Sequence, residues 1–274
     1  MSEAFSNREQ SKSNRLIIFT DLDGTLLDHE SYRFDAASEA LDKINRLSIP
    51  LIINSSKTYA EIVAIQQELN ICQPFISENG AAVHWPENTI EGLVWHSQSF
   101  AISRERVLSV LSTLTKEHGV KYLGFAQCDV EALQALTGLS SDEAKRANLR
   151  GFSEPLLWQD SNEALKLFSE ALAQHQLFIQ QGGRFLSVMS EANKANAMQW
   201  LCNHLGGDWQ TIALGDSPND ELMLNAADIA VVIQSPRSAD VRVDQCKQVI
   251  HTQLSGPEGW QWAMDKLLPD DIQF

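Results

Sequence analysis

The first apolar run of the chain, Leu16 to Phe19, reads as a buried strand, and it stops at two aspartates one residue apart, Asp21 and Asp23. A helical pattern follows in Ala37, Leu41, Ile44 and Leu47, and Pro50 ends it. Leu51-Ile52-Ile53 is a second apolar strand that runs into Asn54-Ser55-Ser56-Lys57-Thr58. These polar residues open a helix with Ile62, Ile65 and Leu69 on one face. A third short strand, Phe75-Ile76, ends in Ser77-Glu78-Asn79-Gly80. Apolar strands thus alternate with helices, and polar residues gather at each strand's carboxyl end. That pattern predicts a parallel sheet wound with helices, with ligands held beyond the carboxyl ends of its strands.

The rhythm changes near residue 93. Residues 93–97 read as a strand and 103–118 as an amphipathic helix with Val107, Val110, Leu111 and Leu114 on one side. Strands are expected at Tyr122–Phe125, Glu154–Trp158, Phe178–Gln180 and Phe185–Met189, the last two around Gly182-Gly183. Helices are expected at Ala132–Leu136, at Ser141–Asn148 behind a Ser140–Glu143 cap, and from Ser161 to Gln174. The first rhythm then returns. Asn193-Lys194 opens a helix, Thr211–Leu214 is a buried strand ending in Gly215-Asp216-Ser217-Pro218-Asn219-Asp220, and Ile229–Ile233 is another strand. Gly256-Pro257-Glu258-Gly259-Trp260 precedes a last helix. The reading is an α/β doubly wound core from 16–92 and 185–274, an inserted α+β domain at 93–184, and a polar tail at 1–15.

A chain of 274 residues, 43% of them hydrophobic, can bury a sizeable core. The formal net charge of −15 speaks against nucleic acid and anionic membrane surfaces as partners. It leaves room for a small anionic substrate, because a metal and a few cations can reverse the field inside one cleft. Cys72, Cys128, Cys202 and Cys246 are scattered and form no CxxC pair, so neither thiolate zinc nor a disulfide framework is expected. No apolar run approaches the roughly 18 residues needed to span a bilayer. A cytoplasmic protein is the expectation.

The chemistry lies in the strand-end clusters. Two carboxylates at the end of a buried strand repel each other and lose hydration, and a hard divalent cation with oxygen ligands is a natural compensation. On a doubly wound sheet Asp21/Asp23, Ser55, Lys194 and Asp216/Asp220 converge on one cleft. Asp21 and Asp216 could hold Mg²⁺, with the Asp23 carbonyl as a further ligand. Ser55 and Lys194 could take the remaining phosphate oxygens. Each has a plain structural alternative: Ser55 a helix cap, Lys194 a solvated helix-start lysine, 215–220 a turn. A lysine opening a helix opposes the helix dipole, however, and so needs a reason.

Asp21-Leu22-Asp23-Gly24-Thr25, Ser55, Lys194 and Gly215-Asp216-Ser217-Pro218-Asn219-Asp220 resemble, in order and spacing, the four motifs of the haloacid dehalogenase superfamily. The arrangement is similar to its Cof-like branch, whose cap is inserted between the second and third motifs. Most of that branch has a Thr-Gly-Arg turn at the second motif. This chain has Ser55-Ser56-Lys57-Thr58, as the mannosyl-3-phosphoglycerate phosphatase family does. Ser77-Glu78-Asn79-Gly80-Ala81, Thr137-Gly138-Leu139, Glu154-Pro155, Gln181-Gly182-Gly183-Arg184-Phe185 and Gly256–Trp260 also resemble that family.

The resemblance implies a Mg²⁺-dependent phosphatase acting on a small sugar phosphate. Asp21 would attack phosphorus and Asp23 would act as general acid and then base. Asp216 and Asp220 would complete the metal site formed with Asp21 and Asp23, and Asn219 and Asp220 would orient metal-bound water or Lys194. Mannosyl-3-phosphoglycerate carries a carboxylate as well as a phosphate, so further cations are expected around it. Arg184 is the first candidate, and Arg150 and Lys57 follow. Glu78 and Asn79 could bind sugar hydroxyls or brace the core. Phosphatases of other sugar phosphates, including glucosyl-3-phosphoglycerate, a phosphomutase, and a binding protein on a retired fold are the alternatives.

Overall fold

The computed structural model describes residues 15–181 and 184–269. Apolar segments at Arg15–Thr20 (β1), Leu51–Asn54 (β2) and Phe75–Ser77 (β3) form parallel strands, joined through helices Ser38–Arg46 (α1) and Tyr59–Glu68 (α2). Later in the chain come Trp209–Gly215 (β10) and Ile229–Gln234 (β11), which extend the parallel sheet on the other side of β1. Together with Ala82–Thr89 (β4), Gly92–Ser99 (β5) and Gln248–Ser255 (β12) they build eight strands in the order β12-β11-β10-β1-β2-β3-β4-β5.

Alternation along β1 divides the core into two layers. Ile18 faces one layer with Trp260, Ala263 and Met264 of helix Glu258–Leu267 (α9). Ile17 and Phe19 face the other, with Ala197, Met198 and Leu201 of helix Lys194–Leu205 (α7) and Met223 of helix Glu221–Ala226 (α8). A sheet covered on both faces explains why its strands read as continuous apolar runs.

A second sheet contains Tyr122–Gly124 (β6), Ser153–Trp158 (β7), Leu177–Gln181 (β8) and Leu186–Ser190 (β9), all antiparallel in the order β6-β7-β9-β8. Helices Arg104–His118 (α3) and Asn162–Ala173 (α6) pack on it through Val107, Leu111, Phe168 and Leu172. Two shorter helices, Val130–Thr137 (α4) and Ser141–Asn148 (α5), complete this part. Ser140 and Glu143 form the capping box that the sequence announces, and Ser161 caps α6.

Sheet pairing shifts both edges of the inserted region away from 93 and 184. β5 pairs with β4 along its whole length and so belongs to the large sheet. β9 pairs with β7 and β8 and so belongs to the small one. By sheet membership the insertion lies between Ser99 and Ser190. The two crossovers run side by side, tied by the Ile102 amide donating to Ser190 Oγ at 3.0 Å.

His84 on β4 sits inside the large sheet's flank, packed against the rings of Tyr59 and Phe75, and shares a 2.9 Å hydrogen bond with Ser77 Oγ. Burial pushes its pKa from near 6.5 down to about 4. The folded state therefore favours neutral His84. Its contribution is complete above pH 6.5 and is lost as pH falls toward 4, about 3 kcal/mol in all. Thermal unfolding followed from pH 7 to 4 is expected to show a shallower decline in His84→Gln than in the parent. Parallel curves would contradict this.

Candidate active site

The site is assembled by strand register. Thr20 at the end of β1 pairs with Leu214 on β10, and the Asp21 amide donates to the Leu214 carbonyl at 2.9 Å. Asp21 and Asp216 therefore emerge side by side at the carboxyl end of adjacent parallel strands. Gly24 turns the chain with φ +78°, and a Cβ there would lie 2.8 Å from Asp216 Oδ2. The first loop can approach the Asp216 loop this closely because residue 24 has no side chain. Behind the strand, the fully buried Trp260 donates to Thr20 Oγ1 at 3.1 Å, and Thr20 donates to the Asp21 carbonyl at 2.7 Å. The last helix thus braces the residue before Asp21.

Lys194, 1% exposed, lies at the start of α7 and supplies the reason for a cation there. Its Nζ donates to Asp21 Oδ1 at 2.6 Å and to Asp220 Oδ1 at 2.7 Å. Burial works against its charge, but the two carboxylates outweigh burial and raise its pKa. Asn54, at the end of β2, holds the lysine's own carbonyl at 3.1 Å. Asp220 is committed on both sides. Its Oδ2 accepts from the amides of Asp216 and Ser217, each at 3.2 Å.

Asp21, Asp216 and Asp220 are all buried, and ligand oxygens from the three lie within 4.8 Å of one another. Burial and the carboxylates of Asp220 and Asp216 hold the Asp21 pKa well above the ordinary range, despite Lys194. Burial and Asp220 push Asp216 up to about 6. This excess of buried negative charge fits a divalent cation. Asp220, expected among the metal ligands, is instead occupied by Lys194 and two amides, and the Asp23 carboxylate lies outside the cluster, which leaves Asp21 and Asp216 as the carboxylates placed to hold it.

Asp23 stands apart from this trio and faces Lys57 Nζ at 3.0 Å. Burial disfavours the Lys57 charge, but Asp23 and Glu61 outweigh it and raise the lysine's pKa. Ser55 is buried at the end of β2, and its hydroxyl accepts the Lys57 amide at 3.3 Å.

A cavity of about 430 Å³ opens above the aspartates, between the two sheets. Asp21, Asp23, Asp216 and Asn219 line its floor, and Ser217 donates to Asn219 Oδ1. Asn79 and Arg150 also line it, and Asn79 donates to Gln180 Oε1 of the small sheet at 3.0 Å. Glu78 takes a different place from a sugar ligand. Buried, it accepts the amides of Gly151 and Phe152 at 2.7 and 3.1 Å and the Ser153 hydroxyl at 2.5 Å. It clasps the inserted region to the large sheet. Arg184 is exposed, with its guanidinium on the Leu136 carbonyl and over the Phe185 ring. The cavity is lined there by Phe185 rather than Arg184. The neighbouring Gly182-Gly183 lies outside the described residues.

The cavity also brings in residues that the sequence reading leaves out: His29, Tyr32, Gln180, Ser187 and Arg237. Arg237 follows β11 closely, so its position past a buried parallel strand was a readable signal. Gln180 and Ser187 carry no such signal, because their exposure to the cleft depends on how the small sheet faces the large one.

A family model of haloacid dehalogenase-like hydrolases matches residues 18–143 and 141–240. A glucosyl-3-phosphoglycerate/mannosyl-3-phosphoglycerate phosphatase of Methanococcoides burtonii is 37% identical over 266 residues, covering 92% of this chain and 97% of that protein. Among solved structures, a haloacid dehalogenase-like hydrolase from B. subtilis is 22% identical with a TM-score of 0.66, covering 92% of this chain and 100% of that one. A sugar phosphatase of HAD subclass IIB is 21% identical with a TM-score of 0.64, over 92% and 98% of the two chains. At such identities these structures speak for the fold. The aspartate cleft at the sheet's carboxyl edge, the family model and the 37% identical relative agree, and the chain belongs to the haloacid dehalogenase-like hydrolases.

Proposed function

We propose that this chain is a Mg²⁺-dependent phosphatase that removes the phosphate from mannosyl-3-phosphoglycerate, yielding mannosylglycerate. The observation that carries the reading is the buried trio Asp21, Asp216 and Asp220, in which Lys194 joins Asp21 to Asp220 while Asp21 and Asp216 open onto the cavity floor. The 37% identical relative supports the substrate class. Because that relative's name joins two substrates, glucosyl-3-phosphoglycerate is the second reading.

Bound between Asp21 and Asp216, Mg²⁺ would offset the charge of the phosphate and of both carboxylates. Asp21, fixed by Lys194 and by the β1–β10 register, would attack phosphorus in line and form an aspartyl-phosphate. Asp23 would protonate the departing glycerate oxygen, then take a proton from the water that cleaves the acyl phosphate. Lys57, 3.0 Å from Asp23, is placed to orient its carboxyl group. Lys194 and Ser55 would stabilise charge on the transferring group. The inserted region would serve as a cap that selects substrate and sheds water from the cleft. Among the described residues all four cysteines are free and no helix is long and apolar enough to cross a membrane. A cytoplasmic enzyme of mannosylglycerate synthesis fits both facts.

Phosphate release with Mg²⁺ should be compared on mannosyl-3-phosphoglycerate, glucosyl-3-phosphoglycerate, mannose 6-phosphate and 3-phosphoglycerate. A preference of at least about tenfold in kcat/KM for a glycosyl-3-phosphoglycerate is expected, since its sugar and carboxylate add contacts in the transition state. Release should stop with EDTA and return with Mg²⁺. Equal turnover of mannose 6-phosphate would sink the substrate assignment, and EDTA-resistant turnover would sink the metal. Little phosphate release, with stimulation by a sugar bisphosphate, would indicate a mutase.

A further inference from the structure

The cations around the cleft are nearly all matched to carboxylates of the protein. Lys194 serves Asp21 and Asp220 at 2.6 and 2.7 Å. Lys57 serves Asp23 at 3.0 Å. Arg150 donates to Ser153 Oγ at 3.0 Å and the Ser56 carbonyl at 3.3 Å, with Glu78 3.9 Å away. Arg237 differs. It lines the cavity, is half-buried, and its guanidinium has neither an acidic partner nor a hydrogen bond among the described residues.

Its backbone is nonetheless fixed to the site. Ser235 Oγ donates to the Asp216 carbonyl at 2.8 Å, and the Arg237 amide donates to Ser235 Oγ at 3.1 Å. The Ser235 amide is held in turn by Ser238 Oγ at 3.1 Å. The loop after β11 is therefore anchored on the Asp216 loop, and a guanidinium is kept at the cleft with its charge unspent. Such a half-buried cation in a chain of net charge −15 calls for an anion from outside.

We infer that Arg237 binds the carboxylate of the phosphoester substrate and makes the enzyme selective for phosphoesters that carry one. The placement separates this role from phosphate binding. Phosphorus must sit beside Asp21, which follows β1, whereas Arg237 follows β11, two strands away across β10. Two strand spacings are roughly 10 Å. An arginine side chain and a three-carbon glycerate together bridge that gap. A guanidinium fork also matches a carboxylate with two parallel hydrogen bonds, a geometry that a lysine does not reproduce. This inference rests on the phosphatase reading and names the group that would set its preference.

The test is the ratio of kcat/KM for mannosyl-3-phosphoglycerate to that for mannose 6-phosphate, which has sugar and phosphate but no carboxylate. Arg237→Gln and Arg237→Lys are expected to lower this ratio by about 10- to 100-fold, the range of a charged hydrogen-bonded contact, mainly through KM. Inhibition of mannose 6-phosphate turnover by D-glycerate, a carboxylate without phosphate, should weaken in parallel. Both variants should keep the parent's Tm, since the side chain holds nothing else in place. An equal loss on both substrates would make Arg237 a phosphate ligand and overturn the inference. So would a parent preference that survives in Arg237→Gln. A parent with no preference would instead overturn the substrate reading beneath it.

Discussion

Replacing Asp21 with Asn is expected to lower phosphate release by about 10⁴-fold or more while leaving the fold intact. The amide keeps the shape of the carboxylate but cannot attack phosphorus. Stability should hold or rise. The parent carboxylate is buried beside Asp216 and Asp220, and burial and these neighbours disfavour its charge more than Lys194 favours it. Asn removes that penalty and can still accept a hydrogen bond from Lys194. The check is single-turnover phosphate release paired with thermal unfolding in EDTA. Residual activity within tenfold of the parent would rule out an aspartyl-phosphate at this position.

The second large effect is on folding. Lys194→Met is expected to destabilise the protein by about 3–5 kcal/mol, the range for removing one member of a buried ion pair. Methionine fills similar space but leaves Asp21 and Asp220 without a counter-ion, and both are almost fully buried. For a chain of this size the loss corresponds to roughly 6–20 °C in Tm. Adding Asp220→Asn to Lys194→Met should recover part of it, since one stranded charge is removed. Two losses that simply add would show that Lys194 and Asp220 are not coupled, against the 2.7 Å contact.

These contacts show where the sequence could be read and where it could not. β1, β2, β3, β10 and β11 stand out because a strand covered on both faces is apolar throughout and turns polar where it leaves the sheet. The clusters holding Asp21, Asp23, Ser55 and Asp216 are read from the same change. β4 and β5 are harder, since an antiparallel edge hairpin with His84, Trp85, Trp95 and His96 has no clean alternation. The sheet to which β5 and β9 belong is decided by distant partners, so neither shows its allegiance locally. Lys194 could be flagged because it opposes a helix dipole, but its two acceptors come from residues 173 and 26 positions away. Arg184 stood out beside two glycines, yet it binds the Leu136 carbonyl, while Arg237, with no motif around it, lines the cleft. A charged residue's role depends on whether its charge is already matched, and sequence does not state that.

The Glu78 clasp sets how the chain can change. Two of the three groups it holds closely are main-chain amides, those of Gly151 and Phe152. Every residue except proline carries the amide hydrogen, and a Cβ added at Gly151 would rest 3.6 Å from Glu78 Oε1, an ordinary contact. Residues 151 and 152 are therefore free to vary in identity, proline excepted, but their number is fixed. Gaining or losing one residue between α5 and β7 would slide every amide past the carboxylate and leave it buried without donors. Over evolutionary time this junction should accumulate substitutions while refusing changes in length.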